Sequence, residues 1–216
     1  MKTLSLARPL IMVVVGLPGS GKSFFARQFA ETFDVACISA DRIRYEMSGK
    51  PQYTTEENEA VSRLVEYLAG EIAKTGRSFL IDGANNTRNA RLQIEKIAKA
   101  QGYKTLVIWV QTDSATARLR SLKRNSKKAD DMFSPSLSDT QFQVFSQRLA
   151  APTKEQYVVI SGMHAYSTQA RTVLKKLAAP HVQAVAKADD QPDRQVVALE
   201  RPNPPRPSRP RNVVIR

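Results

Sequence analysis

Apolar residues in this chain come in short runs, separated by longer stretches where they recur every three or four positions. The first run, residues 9–15 (PLIMVVV), has the length of a buried strand. Residues 22–32 then place Phe25, Ala26, Phe29 and Ala30 on one side of a helix. A second short strand is predicted over 35–39, and Pro51 breaks the chain. Thr54 or Thr55, with Glu57 following, opens another helix. Val61, Leu64, Val65, Leu68 and Ile72 are its expected packed face, and Gly76 ends it. Residues 78–82 (SFLID) read as a third strand, 88–101 as a helix with Leu92, Ile94, Ile97 and Ala98 inward, and 105–110 as a fourth strand. Residues 114–131 begin as a helix and become strongly basic. Residues 139–149 are amphipathic through Phe142, Phe145 and Leu149, 157–160 form a fifth strand, and 168–177 a last helix. Strands alternating with helices in this way predict an α/β fold, three layers with a mainly parallel five-stranded sheet covered on both faces.

At 216 residues the chain suits one such domain, expected over 1–179 with a basic lid at about 114–131. From residue 180 the composition turns to proline and arginine, so 180–216 is read as a tail, without a hydrophobic face of its own and disordered at least from 189. A single cysteine, Cys37, excludes an intrachain disulfide framework, and inert packing in a buried strand is its expected role. With only His164 and His181 besides, a His/Cys metal cluster is not expected. No apolar run reaches the roughly 18–20 residues that cross a bilayer, so no membrane association and a cytoplasmic location are expected.

The net charge is +13, and the tail, with seven basic and four acidic residues, leaves +10 on the body. That balance favours polyanionic partners. Phosphorylated nucleotides satisfy it, and nucleic acid held by the basic body and tail is a candidate partner.

The chemistry concentrates at residues 16–23, GLPGSGKS, a full P-loop pattern set between strand and helix. Gly16, Gly19, Ser20 and Gly21 curl the backbone so that successive N–H groups face phosphates, and the next helix adds its unpaired N–H groups. Lys22 is expected to reach the β- and γ-phosphates of ATP, and Ser23 to hold Mg²⁺. Asp82 ends the third strand, where a carboxylate can meet that metal through water or cap the following turn. Asp41 follows the second strand at the same sheet edge, placed either to take the proton of an attacking hydroxyl or to cap a short helix. Arg44, three residues on, would hold an anionic part of the acceptor or pair on the surface with Asp41. Residues 118–128 carry six basic side chains in eleven positions, either a solvated face or a lid that lays a guanidinium on the transferring phosphate. Arg120 and Arg124, four apart, are the lid candidates, and Arg118 ranks behind them. No Asn-Lys-x-Asp run follows the fourth strand, which favours ATP over GTP.

GLPGSGKS, ISADRIR at 38–44, FLIDGANNT at 79–87 and the basic lid together resemble the AAA-type P-loop kinases grouped around bacteriophage polynucleotide 5′-hydroxyl kinase and the zeta-toxin-like kinases. The resemblance covers about residues 10–178 and implies sheet order 2-3-1-4-5. It also implies Asp41 as general base, Arg44 on the acceptor's 3′-phosphate, and Arg120 or Arg124 as the arginine bridging donor phosphates. The sequence departs from that group in having Ala40-Asp41-Arg42 where an acidic pair is common, and only a loose match at 82–86. Asn85 or Asn86 would orient the acceptor or simply make a turn.

The leading expectation is thus an ATP-dependent kinase acting on a hydroxyl, with a polynucleotide 5′-hydroxyl as one acceptor. The alternatives are a nucleoside, sugar or nucleotide-sugar kinase and a regulatory ATPase without a phosphorylated acceptor. Asp41→Asn should cut phosphoryl transfer severely while leaving ATP binding nearly intact, because it removes the base and spares the phosphate cradle. Assaying transfer and ATP binding on the same preparation checks this; transfer at the normal rate would make Asp41 a cap.

Overall fold

The computed structural model of the chain describes residues 9–125 and 132–178. The second half of the basic run, 126–131, and the tail from 180 lie outside the described residues. Five parallel strands form one sheet in the order β2-β3-β1-β4-β5, the order the resemblance implied. They are β1 (Leu10–Val15), β2 (Ala36–Ser39), β3 (Phe79–Asp82), β4 (Lys104–Gln111) and β5 (Tyr157–Ser161). Seven helices intervene among the described residues: α1 (Lys22–Phe33), α2 (Ala40–Ser48), α3 (Thr55–Ala73), α4 (Arg88–Ala100), α5 (Ser114–Leu122), α6 (Asp139–Arg148) and α7 (Tyr166–Ala178).

The central strand shows why its sequence is apolar at every position. Leu10, Met12 and Val14 pack against α1 and α7 on one face. Ile11, Val13 and Val15 pack toward α3 and α4 on the other. A strand buried on both faces has no polar side to show. On the first face, Phe25, Phe29 and Phe33 of α1 make an aromatic column, with ring centroids 5.4 and 4.5 Å apart. Helix caps follow the local chemistry. Ser39, Thr54, Thr87 and Ser138 each accept an N–H from the first turn of the helix they precede, which meets donors that would otherwise lack partners.

Three expectations are corrected here. Leu64 and Leu68 of α3 are exposed at 39% and 36%; the buried stripe is Val61, Val65, Ala69 and Ala73, one helical step to the side. Leu92 of α4 is likewise exposed, and Arg91 takes the inward position beside it. Cys37 is not buried, because β2 is an edge strand. Its thiol nevertheless borders a cleft with Ser23, Asp82 and Phe133, where lost solvation, then the Asp82 charge, push its pKa up to about 12. It is held as the unreactive thiol.

Among the described residues no helix is long and apolar enough to cross a membrane. The parallel order brings the loops after all five strands to one sheet edge, where α/β folds bind ligands. Phe29 has no exposed surface and touches both neighbours of the aromatic column. Phe29→Ala should therefore cost about 3–5 kcal/mol of stability, read as a lower urea midpoint with an unchanged slope.

Candidate active site

The loop after β1 is shaped by close approach. A Cβ at Gly19 would collide with the Ala117 carbonyl of α5, and one at Gly162 with the Ser20 carbonyl and Thr112 Oγ1. Gly19 also has φ +77°, which side chains rarely tolerate. Both glycines let the loop be gripped from two sides. Thr112 Oγ1 donates to the Ser20 carbonyl at 3.1 Å. From below, Asn86 pairs with both backbone groups of Gly16: its amide oxygen accepts the Gly16 N–H at 3.2 Å and its NH₂ donates to the Gly16 carbonyl at 3.0 Å. Asn86 is held in turn by buried Arg91, whose Nη1 donates to the carbonyls of Asn85 and Asn86 and whose Nε meets Glu155 at 2.9 Å. Sequence reasoning missed Arg91, since an arginine in the first turn of a helix looks like a surface residue.

Inside this frame, Lys22 Nζ donates to the Leu17 carbonyl at 2.7 Å. Lost solvation, with a smaller push from nearby Arg124, lowers its pKa to about 8 against the opposing pull of Asp82 and Asp41. Asp82 sits where β3 meets Val14 of β1 and Ser39 of β2. Burial raises its pKa, opposed by a hydrogen bond from Ser23 and by the Lys22 charge. Asp82 Oδ1 is buried without a hydrogen-bond partner.

Two cavities open on the loop. The first, about 530 Å³, is lined by Gly19, Gly21, Lys22, Ser23, Arg120 and Arg124 among others, and exposed Phe24 and Leu119 give it an apolar rim. The second, about 270 Å³, is lined by Lys22, Asp41, Arg44, Tyr53, Arg124 and Arg148, with Phe145 and polar Asn58, Ser62 and Thr87. Lys22 and Arg124 belong to both walls.

The remaining predicted residues fall as follows. Gly16 and Ser20 do not line the first cavity; they shape the loop behind it, with the Ser20 side chain fully buried. Asp41 is not the cap of α2, a role Ser39 takes; its carboxylate faces the second cavity and accepts a hydrogen bond from Ser134 Oγ at 2.6 Å. Arg44 does not pair with Asp41. It is buried, 3.1 Å from Glu57 Oε2 and 4.7 Å above the Tyr53 ring. Burial disfavours the Glu57 carboxylate, but the Tyr53 N–H and Arg44 outweigh it and lower its pKa. Asn85 is turned away from the cavity, its amide donating to Gly83 O at 2.6 Å. Arg120 reaches the Gly162 carbonyl at 3.3 Å, whereas Arg124 lies beyond the end of α5 and donates to the Pro135 carbonyl at 3.4 Å. Arg118 pairs with Asp139 on the surface. Ser134, Tyr53 and Arg148 were not foreseen, because each reaches the site from a segment with no motif of its own.

The model of the family described as AAA domain, AAA_33, matches residues 11–152. A UPF0200 protein of Aeropyrum pernix is 32% identical over 57% of this chain and 69% of its own length. An adenylyl-sulfate kinase of Myxococcus xanthus is 26% identical over 55% of this chain and 66% of its own. Among solved structures, a gluconokinase from Sinorhizobium meliloti superposes with a TM-score of 0.60 at 18% identity, covering 83% of this chain and 98% of that one.

Because Lys22 has a lowered pKa in the free protein and a polyphosphate favours its charged form, ATP should be bound with proton uptake above pH 8. Near pH 8.5, calorimetric titrations in two buffers of different ionisation enthalpy should show that uptake, and affinity should fall as pH rises further. Lys22→Arg should abolish the uptake, since arginine stays charged. Equal heats in both buffers would mean that Lys22 is fully protonated at the start.

Proposed function

The chain belongs to the AAA_33 family of AAA domains, and we propose that it is an ATP-dependent phosphotransferase of the P-loop kinase type whose acceptor is a small anion bearing a hydroxyl group. The observation that carries the reading is the shared wall: Lys22 and Arg124 line both the phosphate cavity and the cavity that Asp41 faces. A phosphoryl group leaving the first cavity for the second passes between these two cations, where its charge is neutralised as it moves. Asp41 takes the proton of the incoming hydroxyl, and ADP is the other product. Arg120 attends the donor side, with Phe24 and Leu119 as an apolar rest for the base.

Mg²⁺ fits the residues present. Asp82 Oδ1 is a buried carboxylate oxygen without a hydrogen-bond partner, and its neighbour Ser23 supplies a hydroxyl. A hydroxyl and one carboxylate suit a cation that keeps waters and takes its other ligands from phosphates. When bound, the ion supplies charge stabilisation on the β- and γ-phosphates.

The second cavity favours a small molecule over the polynucleotide end that the basic composition suggested. Its 270 Å³ lies below the roughly 300–1,000 Å³ of pockets for drug-sized ligands. Lys22, Arg44, Arg124 and Arg148 face it against Asp41 alone, so an anionic group is favoured. Arg44 is ion-paired with Glu57 but keeps buried nitrogens without hydrogen-bond partners, so Arg148 and Arg44 are the cations for the acceptor's acid group. The adenylyl-sulfate kinase and gluconokinase named above are, by their names, kinases of small molecules.

Transfer from γ-labelled ATP should be tested on sugar acids, hydroxy acids and nucleotide sulfates beside 5′-hydroxyl oligonucleotides. Label is expected on a small anion, and Arg148→Ala should raise that acceptor's KM about tenfold or more with the KM for ATP unmoved. Label on oligonucleotides alone would overturn the reading.

A further inference from the structure

The acceptor cavity is not the only place where a hydroxyl meets Asp41. Ser134 Oγ donates to Asp41 Oδ2 at 2.6 Å, the contact expected of a hydroxyl about to be deprotonated. The same serine lines the phosphate cavity together with Lys22, Ser23, Arg120 and Arg124. We propose that Ser134 is itself a phosphoryl acceptor, modified in cis by the ATP bound to its own chain. This rests on the reading of Asp41 as the base.

The hydroxyl is held rather than merely near. Phe133 packs edge-on against Tyr45 of α2 at 5.5 Å, and the Arg42 guanidinium lies 5.5 Å from the same ring. On the other side, Arg124 donates to the Pro135 carbonyl, and the Leu137 N–H donates to the Ser121 carbonyl at 3.2 Å. A side chain fixed from both flanks, facing both a base and a phosphate cavity, meets the positional demand of intramolecular transfer. Ser134 is 7% exposed, which closes it to a second kinase molecule and makes the reaction unimolecular. The other candidate hydroxyls fail one condition each. Ser23 donates to Asp82, and Ser62 and Thr87 line the acceptor cavity without lining the phosphate cavity.

The chemistry balances without another reactant. The bond from the γ-phosphorus to the β-bridging oxygen breaks, and the electron pair leaves with ADP. A bond from Ser134 Oγ to the γ-phosphorus forms, and the hydroxyl proton passes to Asp41 and then to water. The product carries about −1.5 to −2 charge beside the Asp41 carboxylate. It pairs with Arg124 at the wall between the cavities and takes from Asp41 its role toward other acceptors. Self-modification is therefore an off state for a chain that holds ATP and no acceptor.

The test is incubation of the full chain with γ-labelled ATP and Mg²⁺ and no added acceptor. The expected result is covalent, acid-stable label at up to one phosphate per chain, in the peptide that contains Ser134, at a rate constant independent of protein concentration. Ser134→Ala should lose at least tenfold of the label while still binding ADP, which shows that it is folded. Ser134→Thr should restore label as phosphothreonine, and Asp41→Asn should remove it from the wild-type serine. No covalent label, undiminished label in Ser134→Ala, or a rate that rises with protein concentration would each overturn the proposal. Transfer to a small acceptor without self-labelling sinks this inference alone. Self-labelling without transfer to any small acceptor sinks the acceptor reading and leaves this one standing.

Discussion

The site is organised by one constraint: Asp82 is buried and Lys22 half-buried beside it, and neither charge can be left there alone. Taking an ammonium and a carboxylate out of water costs several kcal/mol each, and removing one partner leaves the other uncompensated. Both are perturbed accordingly, the lysine lowered to about 8 and the carboxylate raised, each by lost solvation before any other cause. The free protein moderates this with the Leu17 carbonyl on Lys22 and the Ser23 hydroxyl on Asp82. A bound polyphosphate with its cation would satisfy both far better. The pair, poorly solvated in the free protein, therefore contributes less to stability than to affinity for one kind of ligand.

That constraint explains the density of backbone restraint around the loop. A cradle of N–H groups works only if it does not reorganise when charge arrives. Glu155, Arg91 and Asn86 form a chain of hydrogen bonds that ends on both polar groups of Gly16, reaching from the β5 side of the molecule to the P-loop through the turn after β3. Glu155 is kept ionised for this: burial works against it, and the hydrogen bond from Arg91 prevails. Gly162 and Thr112 close the opposite side on the Ser20 carbonyl. The turns after β3, β4 and β5 thus all act on the loop after β1.

What the sequence disclosed follows from how local each signal is. The P-loop was legible because its glycines, Lys22 and Ser23 are contiguous and flanked by a strand and a helix. Asp41 and Asp82 were legible because each follows a recognisable strand, and strand ends in a parallel sheet share an edge. For Arg44, the structure rules out one of its two expected roles, the surface pair with Asp41. Spacing within α2 suggested Asp41, whereas the pairing is set by Glu57 arriving from α3, and no periodicity reports contacts between helices. Asn85 and Asn86 could not be separated by pattern, since the turn's backbone decides which amide faces the loop. Leu64 and Leu68 show the limit of amphipathic reasoning. The apolar arc of α3 is wider than the sheet it covers, so the small residues Ala69 and Ala73 lie at the contact while the leucines sit at its margin. Cys37 failed for a topological reason, as edge position depends on strand order and not on strand composition.

The arginines illustrate a further point about lids. Arg120 and Arg124 are four residues apart, which on an unbroken helix would stack them on one face. The helix stops at Leu122, and that break separates their tasks. Arg120 stays with α5 and reaches the loop after β5, beside the first cavity. Arg124, released from the helix, joins the segment carrying Phe133, Ser134 and Pro135 and so reaches the boundary between the cavities. The same segment continues through Leu137 into α6, whose Phe145 and Arg148 line the second cavity. One excursion of the chain between β4 and β5 thus contributes to both cavities, meeting the P-loop at the first and residues of α2 and α3 at the second. A substitution there cannot be assigned to a single ligand from its position alone: Arg124 touches both cavities, and Arg120 and Arg148 touch one each.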